Sequence, residues 1–262
     1  AAYCFAGGIR ASIWSDAAQS TVMIFAMAVL LIAGVDTLGG LEMTVDRMQQ
    51  IDGFLDWFPR DLALPGAPGA ILFAVSWLFA GLSVIGQPQV MVRFMSLSNG
   101  HEMQKARGYY YLWFVAFYSL ATGVGLLSRV YLTDTGNFDA ELALPTMALD
   151  LLPPLLVGLI LAGIFGATMS TADSLVLSCS AAVTHDLLPH SIERTSLIKL
   201  TTLGVIGLAL LLALSNNQSV FSLVIMAWSG LASAFAPLLI ARCLNWRPDE
   251  RTSIIAVSTG LG

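Results

Sequence analysis

Two neighbouring hydroxyl residues, Ser170 and Thr171, lie inside a long apolar stretch and follow Ala167 by three and four positions. In a helix this spacing puts all three residues on one face. Hydroxyl oxygens and a backbone carbonyl oxygen are hard, neutral ligands that suit a cation such as Na⁺. The pattern therefore predicts a sodium site within a membrane span. The alternative is structural, because a Ser or Thr hydroxyl can donate to a carbonyl of its own helix.

Two acidic residues add to this pattern. Asp173 is the only charged residue between Leu155 and Thr184, and a buried carboxylate is costly unless it is paired or hydrated. It could face a water-filled vestibule on an ion exit route, or pair with a base elsewhere. Asp16 begins the first complete apolar stretch. It could stabilise a helix N-terminus electrostatically or lie near the inner end of the ion route.

A second polar cluster lies in the stretch from Gly81 to Gln89, which holds two glycines and a proline that weaken a helix. Pro88 lacks an N–H and clashes with the carbonyl of Val84, and freed carbonyls inside a membrane must find a partner or line a cavity. This predicts a helix broken at mid-membrane, as in many transporters; an ordinary proline kink is the alternative. The candidate substrate residues are Ser83, Val84, Gln87, Pro88 and Trp228. For the glutamines the alternative role is to satisfy the broken backbone, and for the indole it is packing.

Composition places the chain in a lipid bilayer. Hydrophobic residues make up 56% and charged residues 11% of the chain, with a mean hydropathy of +0.77, whereas a soluble domain carries roughly 25% charged residues. A net charge of −5 excludes a basic nucleic-acid-binding surface, so we expect no nucleic acid partner. Three widely separated cysteines show neither disulfide nor metal spacing. We find no side-chain arrangement typical of an intramembrane enzyme and expect no organic cofactor.

Apolar stretches long enough to cross a bilayer recur six times. They cover Asp16–Val35, Ala67–Val90, Tyr109–Tyr131, Leu155–Thr184, Leu197–Leu214 and Val220–Ala241. The chain opens on Ala1–Phe5, which is typical of the end of an earlier helix, and another span is predicted to begin near Thr252. We therefore interpret residues 1–262 as a single transmembrane domain, an internal part of a longer all-α, polytopic membrane protein.

The charges in the predicted loops support this division. If the spans alternate in direction, nine of the twelve basic residues fall on one side. The other side receives ten of the seventeen acidic residues and three basic ones. The positive-inside rule then makes the basic side cytoplasmic.

The long outer segment from Asp36 to Pro65 is predicted to contain a short interfacial helix. The stretch Ile51–Pro59 mixes aromatic and acidic residues, and Trp57 and Phe58 suit anchors at the membrane surface. An outer gate is the alternative. Further along, Pro154 suits a helix start, where a missing N–H costs nothing.

Four ordered stretches resemble the sodium/solute symporter family, and within it the sodium/proline symporters. Gly7–Gln19 is similar to the pattern GG-x-x-A-x-x-W-[TS]-D-x-x-Q, and Gly86–Met95 is similar to GQPH followed by RFM. Ala167–Ala182 is similar to A-x-MST followed by CSSA, and Ala227–Pro237 to AW-[AS]-G followed by F-[GA]-P. The four stretches are spread over the whole chain.

The resemblance implies a five-plus-five inverted-repeat core of the leucine-transporter type, of which this chain covers the end of core helix 4 through the start of core helix 11. It implies that Na⁺ is bound by the Ala167 carbonyl and the hydroxyls of Ser170 and Thr171, with the remaining ligands on core helix 1, outside this chain. Asp16 then matches an inner-end aspartate near the sodium exit path, and Asp173 is a further candidate on that path.

One departure concerns the solute. Where proline symporters have a Trp and a Tyr before the GQP proline, this chain has Ala80 and Val84, although Trp77 is near, and the following His is Gln89. The resemblance thus implies a plasma-membrane symporter that imports a small organic solute with Na⁺ by alternating access, with proline or a related amino acid or carboxylate as solute. The alternative is a transporter-like sensor domain of a signalling protein.

Overall fold

The computed structural model describes residues 2–132, 139–187, 195–215 and 220–261. Within these ranges all regular elements are helical, in agreement with the predicted all-α class. The α-helices are α1 (Ala2–Thr37), α2 (Leu41–Gln49), α3 (Ala67–Gly81), α4 (Pro88–Met95), α5 (Gly100–Tyr131), α6 (Ala143–Leu151), α7 (Pro154–Ala181), α8 (Thr195–Ser215), α9 (Val220–Cys243) and α10 (Glu250–Leu261). The segments Leu82–Gly86 and Ala140–Leu142 are 3₁₀-helical, and Ala182–Leu187 forms a π-helical turn.

Within the described residues, six helical stretches are long and apolar enough to cross a membrane, which confirms the predicted number. They are Arg10–Thr37, Ala67–Gly86, Gly100–Tyr131, Pro154–Thr184, Ser196–Ser215 and Val220–Cys243. The helices extend beyond most of the predicted limits because polar residues at their ends are still compatible with helical backbone. The predicted further span near Thr252 falls on α10, and Pro154 does begin a helix.

The first helix differs from the prediction. The sequence suggested that Ala1–Phe5 ends a separate helix, but α1 runs unbroken from Ala2 to Thr37. No proline interrupts it, and the Gly7–Gly8 pair weakens a helix by only about 1 kcal/mol per residue relative to Ala. Asp16 therefore lies well inside α1. The predicted role for Asp16 at a helix N-terminus is wrong, because helix-dipole effects fall off within the first turn.

The outer segment also differs. Its short helix is α2, Leu41–Gln49, whereas residues 51–59 form turns and bends. Gly53 has φ +70°, a conformation that glycine adopts readily and that interrupts a helix. Trp57 is 94% exposed, so the predicted helix over Ile51–Pro59 is wrong, while the exposure of Trp57 still suits an interfacial anchor.

The chain divides into two compact units, which we describe separately. The first comprises Ala1–Trp57 and Asn99–Leu177. Its core is a cluster of apolar side chains, mainly from α1, α5, α6 and α7, which includes the deeply buried Ala26, Leu30, Leu127, Met147 and Ile160. Gly34 lets α5 approach α1, because a Cβ at this position would overlap the side chain of Leu127.

The second unit comprises Phe58–Ser98 and Ser178–Gly262. Here the 3₁₀ segment Leu82–Gly86 packs along α9, and α10 packs against the same helix. Both contacts depend on glycine. A Cβ on Gly86 would overlap the carbonyl of Leu231, and one on Gly260 would overlap the carbonyl of Ser233. Ser233 Oγ also donates to the Gly260 carbonyl at 2.6 Å.

We predict that Gly86→Ala destabilises the protein by about 1–3 kcal/mol, the usual cost of overpacking a close contact. The added methyl group must displace the Leu231 backbone, since a main-chain carbonyl cannot move aside as a side chain can. Thermal unfolding of the purified protein in detergent measures the effect. Gly81→Ala is the matched control, because nothing lies within 4 Å of its Cβ position, and it should be neutral or stabilising. Equal melting temperatures for both variants would contradict the prediction.

Candidate functional site

The predicted ion ligands lie together on α7. The hydroxyl oxygens of Ser170 and Thr171 lie 3.0 and 3.1 Å from the carbonyl oxygen of Ala167. These three atoms, which we call the oxygen cluster, converge because the residues are spaced three and four positions apart in an α-helix. Both of these distances are within the range that two ligands of one small cation can have, given metal–oxygen bonds of roughly 2.3–2.6 Å for a cation of this size.

Both hydroxyls donate their hydrogen to the Ala167 carbonyl. The structural alternative raised by the sequence is thus present, since each hydroxyl is satisfied within its own helix. The lone pairs of the hydroxyl oxygens are still available, because a hydroxyl is one donor and two acceptors. Ser170 is half-buried and Thr171 is exposed in this unit, so the cluster is accessible from one side.

An apolar cavity of about 260 Å³ lies next to the oxygen cluster. Ala167 and Thr168 line one wall, and Met23, Met27 and Phe117 contribute to the rest. Ser170 and Thr171 do not line it. The cavity therefore provides space beside the Ala167 end of the cluster, but no further polar ligands.

Small residues let α1 and α7 come close together. A Cβ on Gly163 would lie 3.3 Å from the Cβ of Ala26, and one on Gly166 would lie 3.2 Å from the Cβ of Gln19. Residue numbers fall along α1 as they rise along α7, so the two helices are antiparallel. With a rise of 1.5 Å per residue in both helices, Asp16 lies at about the level of Ser170, and Ser12 at about the level of Asp173.

The acidic residues occupy buried or partly buried positions on these two helices. Asp173 is 4% exposed and Ser12 is 1% exposed. Ser12 Oγ donates to Asp16 Oδ2 over 3.4 Å, and Ser174 Oγ donates to the Ser170 carbonyl. Together with the oxygen cluster, these groups form a polar stripe in otherwise apolar helices.

Sequence reasoning missed two residues of this stripe, Ser12 and Gln19. Ser12 precedes Asp16 by four positions and Gln19 follows it by three, so helical spacing could have found both. Gln19 Oε1 is buried and has no hydrogen-bond partner within the described residues. It lies next to Gly166, one position before Ala167.

The predicted broken helix is present in the second unit. α3 ends at Gly81, the chain continues as a 3₁₀ segment to Gly86, and Gln87 is extended with φ −92° and ψ 107°. Pro88 then begins α4, where its missing N–H is no loss. The Val84 carbonyl accepts from the N–H of Gln87 at 3.2 Å. This hydrogen bond satisfies one of the backbone carbonyls that the helix break frees.

The predicted substrate residues occupy three different environments. Ser83 and Gln87 are buried, with 1% and 8% of their surfaces exposed, and Val84 is exposed. Pro88 lines a cavity of about 280 Å³ between α4 and α9. Trp228 lines a separate cavity of about 630 Å³ between α3 and α9. The lining of that cavity does not include the other four residues.

Comparisons with known proteins identify the family and several relatives of this chain. A profile of the sodium:solute symporter family matches residues 1–256. The chain is 29% identical over 252 residues to a sodium/proline symporter of Haemophilus influenzae, which covers 91% of this chain and 49% of that protein. It is 31% identical over 267 residues to sodium/proline symporter 2 of Staphylococcus saprophyticus, with 97% of this chain and 50% of the relative covered.

A sodium/pantothenate symporter of Haemophilus influenzae is 27% identical over 275 residues, covering 99% of this chain and 54% of the relative. No solved structure matched the chain. The chain spans about half the length of the curated relatives it matches. The six apolar spans found in the described part of the chain make it a multi-pass membrane protein, in agreement with the predicted plasma-membrane location. Because the family profile covers nearly all of the sequence, this chain belongs to the sodium:solute symporter family.

Proposed function

We propose that this chain forms the second half of the ion and solute pathway of a secondary transporter, which imports a small organic solute together with Na⁺ by alternating access. The observation that carries the proposal is the convergence of the Ala167, Ser170 and Thr171 oxygens on α7. Family membership supports it. On this proposal the residues described here bind and release ions and solute, and they catalyse no covalent reaction.

Sodium binding at the oxygen cluster requires a change in its hydrogen bonds. A cation between the three oxygens repels the two hydroxyl hydrogens, so both hydroxyls rotate about their Cβ–O bonds while the oxygen atoms stay in place. The protein therefore exchanges two weak internal hydrogen bonds for two ion contacts. We propose, as the family resemblance implies, that the remaining ligands come from core helix 1 and that Na⁺ joins that helix to α7 in the outward-open state.

Release toward the cytoplasm follows the polar stripe between α1 and α7. By the positive-inside orientation, Asp173 lies on the cytoplasmic side of the oxygen cluster, and Asp16 faces the route from α1 at about the level of Ser170. A carboxylate on this route offers the departing cation a stronger attraction than a hydroxyl does, and so lowers the barrier for leaving the cluster. Ser12 holds the Asp16 carboxylate by its 3.4 Å hydrogen bond.

The solute is proposed to bind at the helix break. Ser83, Val84, Gln87 and Pro88 are the residues of the break, and Trp228 lines the large cavity on the facing helix α9. Relatives are named for proline and for pantothenate, which are both small molecules with a carboxylate. We therefore propose proline, or a related amino acid or carboxylate, as the solute.

We predict that Ser170→Ala and Thr171→Val each raise the Na⁺ concentration for half-maximal uptake by about 5- to 150-fold. Each change removes one oxygen ligand, and losing a buried polar contact costs about 1–3 kcal/mol. Uptake of labelled proline and pantothenate by the full-length protein, measured against Na⁺ concentration, tests this prediction.

Thr168→Val is the matched control for these variants. Thr168 lies on the same helix and donates to its own Ile164 carbonyl at 2.7 Å, yet its hydroxyl is not part of the oxygen cluster. It should leave the sodium dependence unchanged. If all three variants keep the wild-type sodium dependence, the sodium assignment fails.

For the exit route we predict that Asp173→Asn lowers the maximal uptake rate by about tenfold, which corresponds to about 1.4 kcal/mol in the rate-limiting barrier. The half-saturating Na⁺ concentration should change much less, because the oxygen cluster stays intact. Asp173→Glu should retain most of the rate because it keeps the charge. Initial-rate uptake at saturating Na⁺ measures both. A variant that loses sodium affinity and keeps its maximal rate would place Asp173 among the ligands instead.

A further inference from the structure

The cavity of about 280 Å³ between α4 and α9, which we call the α4–α9 cavity, is apolar over most of its lining. Phe235, Leu239 and Arg242 belong to its wall on α9, and their spacing of four and three positions puts them on one face of that helix. Pro88 and Met91 belong to the opposite wall. With a rise of 1.5 Å per residue, the α9 wall runs for about 10 Å and has an arginine at its end.

Arg242 is the charged residue of this lining. It lies in the last turn of α9 and is exposed. Its guanidinium group makes no hydrogen bond or ion pair with any residue that the structure describes. The Asp249 carboxylate, seven positions later, instead accepts from the Thr252 N–H at the start of α10. A guanidinium group carries five donors and no acceptor, so an anion at this end of the cavity would find an available partner.

This end of the cavity is placed at a membrane surface. Arg242 is one residue from the end of the α9 span, and Trp246, which is 68% exposed, suits the boundary between lipid and water. Arg93 in the last turn of α4 adds a second positive charge at the end of the other helix. The positive-inside orientation makes this side cytoplasmic, and the cytoplasmic leaflet is the one that carries negatively charged phospholipids.

The rest of the cavity suits hydrocarbon. None of the eight residues of α4 is buried, so the wall formed by Pro88 and Met91 is not fully covered by the described chain. Apolar cavities of this kind do not hold water well, because water needs several polar partners. An empty cavity also forfeits the dispersion contacts of the atoms that line it. A ligand with a hydrocarbon chain and an anionic group at one end would satisfy both the apolar walls and Arg242.

We propose that the α4–α9 cavity binds an acyl chain of an anionic phospholipid from the cytoplasmic leaflet, with the Arg242 guanidinium donating to the lipid phosphate. The bound lipid covers one side of α4 and stabilises its packing beside α9. This inference goes beyond the proposed function, because the ligand is a component of the bilayer and is neither the ion nor the solute.

Two phospholipids with the same acyl chains test the role of charge. The full-length protein, delipidated in detergent, is incubated with dioleoylphosphatidylglycerol or dioleoylphosphatidylcholine, and the bound lipid is counted by native mass spectrometry. We expect phosphatidylglycerol to be retained at least about fivefold more, because it pairs a net negative charge with the arginine. It should also raise the melting temperature, since it binds the folded state. Equal retention of the two lipids overturns the inference.

The substitution Arg242→Gln tests the headgroup end of the cavity. It should lower the retention of phosphatidylglycerol at least about fivefold and remove its effect on the melting temperature, because the charge-assisted hydrogen bonds are lost. Arg247→Gln is the matched control. Arg247 is an exposed arginine just beyond α9 and outside the lining of the cavity, so the control should keep the wild-type retention. Loss of retention in both variants to the same degree would indicate general surface charge and contradict the site.

The substitution Leu239→Trp tests the acyl-chain end, since the indole fills the cavity and leaves Arg242 in place. It should also lower the retention of phosphatidylglycerol, whereas Leu244→Trp, at an exposed leucine outside the lining, should not. If Arg242→Gln does not fold, this pair of variants decides the matter. Wild-type retention in Leu239→Trp overturns the inference, as it would if the other half of the transporter covered the cavity.

Inorganic phosphate distinguishes a lipid from a free anion. It offers the same acceptor oxygens without a hydrocarbon chain, so it should leave the melting temperature of the full-length protein unchanged. If phosphate reproduces the stabilisation given by phosphatidylglycerol, and Arg242→Gln abolishes it, the site binds a free anion and the lipid assignment is wrong. Each of these measurements reads binding rather than uptake, so their failure leaves the proposed sodium coupling untouched.

Discussion

The hydrocarbon core of a bilayer offers no hydrogen-bond partners, and this constraint governs the whole chain. Every backbone N–H and C=O within a span must be satisfied by the protein itself. Long helices such as α1 and α5 do so automatically, which explains why the described residues are almost entirely helical. A departure from the helix costs free energy there. The break between Gly81 and Pro88 is therefore a feature that some compensating interaction must stabilise.

The same constraint separates two kinds of hydroxyl in this chain. Most serines and threonines of the spans donate to a carbonyl three or four residues earlier, and Ser170 and Thr171 are no exception. These two share one acceptor, so that three oxygens lie together, as also happens on α1, where Ser20 and Thr21 share the Ala17 carbonyl. Ser83 is different, because it is buried without any such hydrogen bond. The hydroxyls of Ser170 and Thr171 are satisfied within their own helix, so keeping them there costs little free energy. The Ser83 hydroxyl is buried without a partner and carries a desolvation cost.

Close helix packing brings the polar residues of α1 and α7 together. Gly163 and Gly166 allow α7 to lie against α1 with few atoms between the backbones. This contact brings Asp16 and Ser12 to the level of the cluster and of Asp173. Gly86 plays a comparable part in the second unit, where only a hydrogen atom fits beside the Leu231 carbonyl. In the absence of a hydrophobic driving force within lipid, such small residues are the usual means of helix association.

The sequence by itself determined the helical class, the six spans, the helix break and the cluster on α7, because each follows from local composition or from spacing along a single helix. It failed for Ile51–Pro59 and for the start of α1, where weak local preferences decide between helix and turn. Helical spacing puts Ser12 and Gln19 on the same face of α1 as Asp16, but only the tertiary structure decided that this face meets α7. Only the tertiary structure decided that Trp228 lies in a different cavity from Pro88. These outcomes depend on which helix faces which and in what register, and that is set by contacts between residues far apart in the chain.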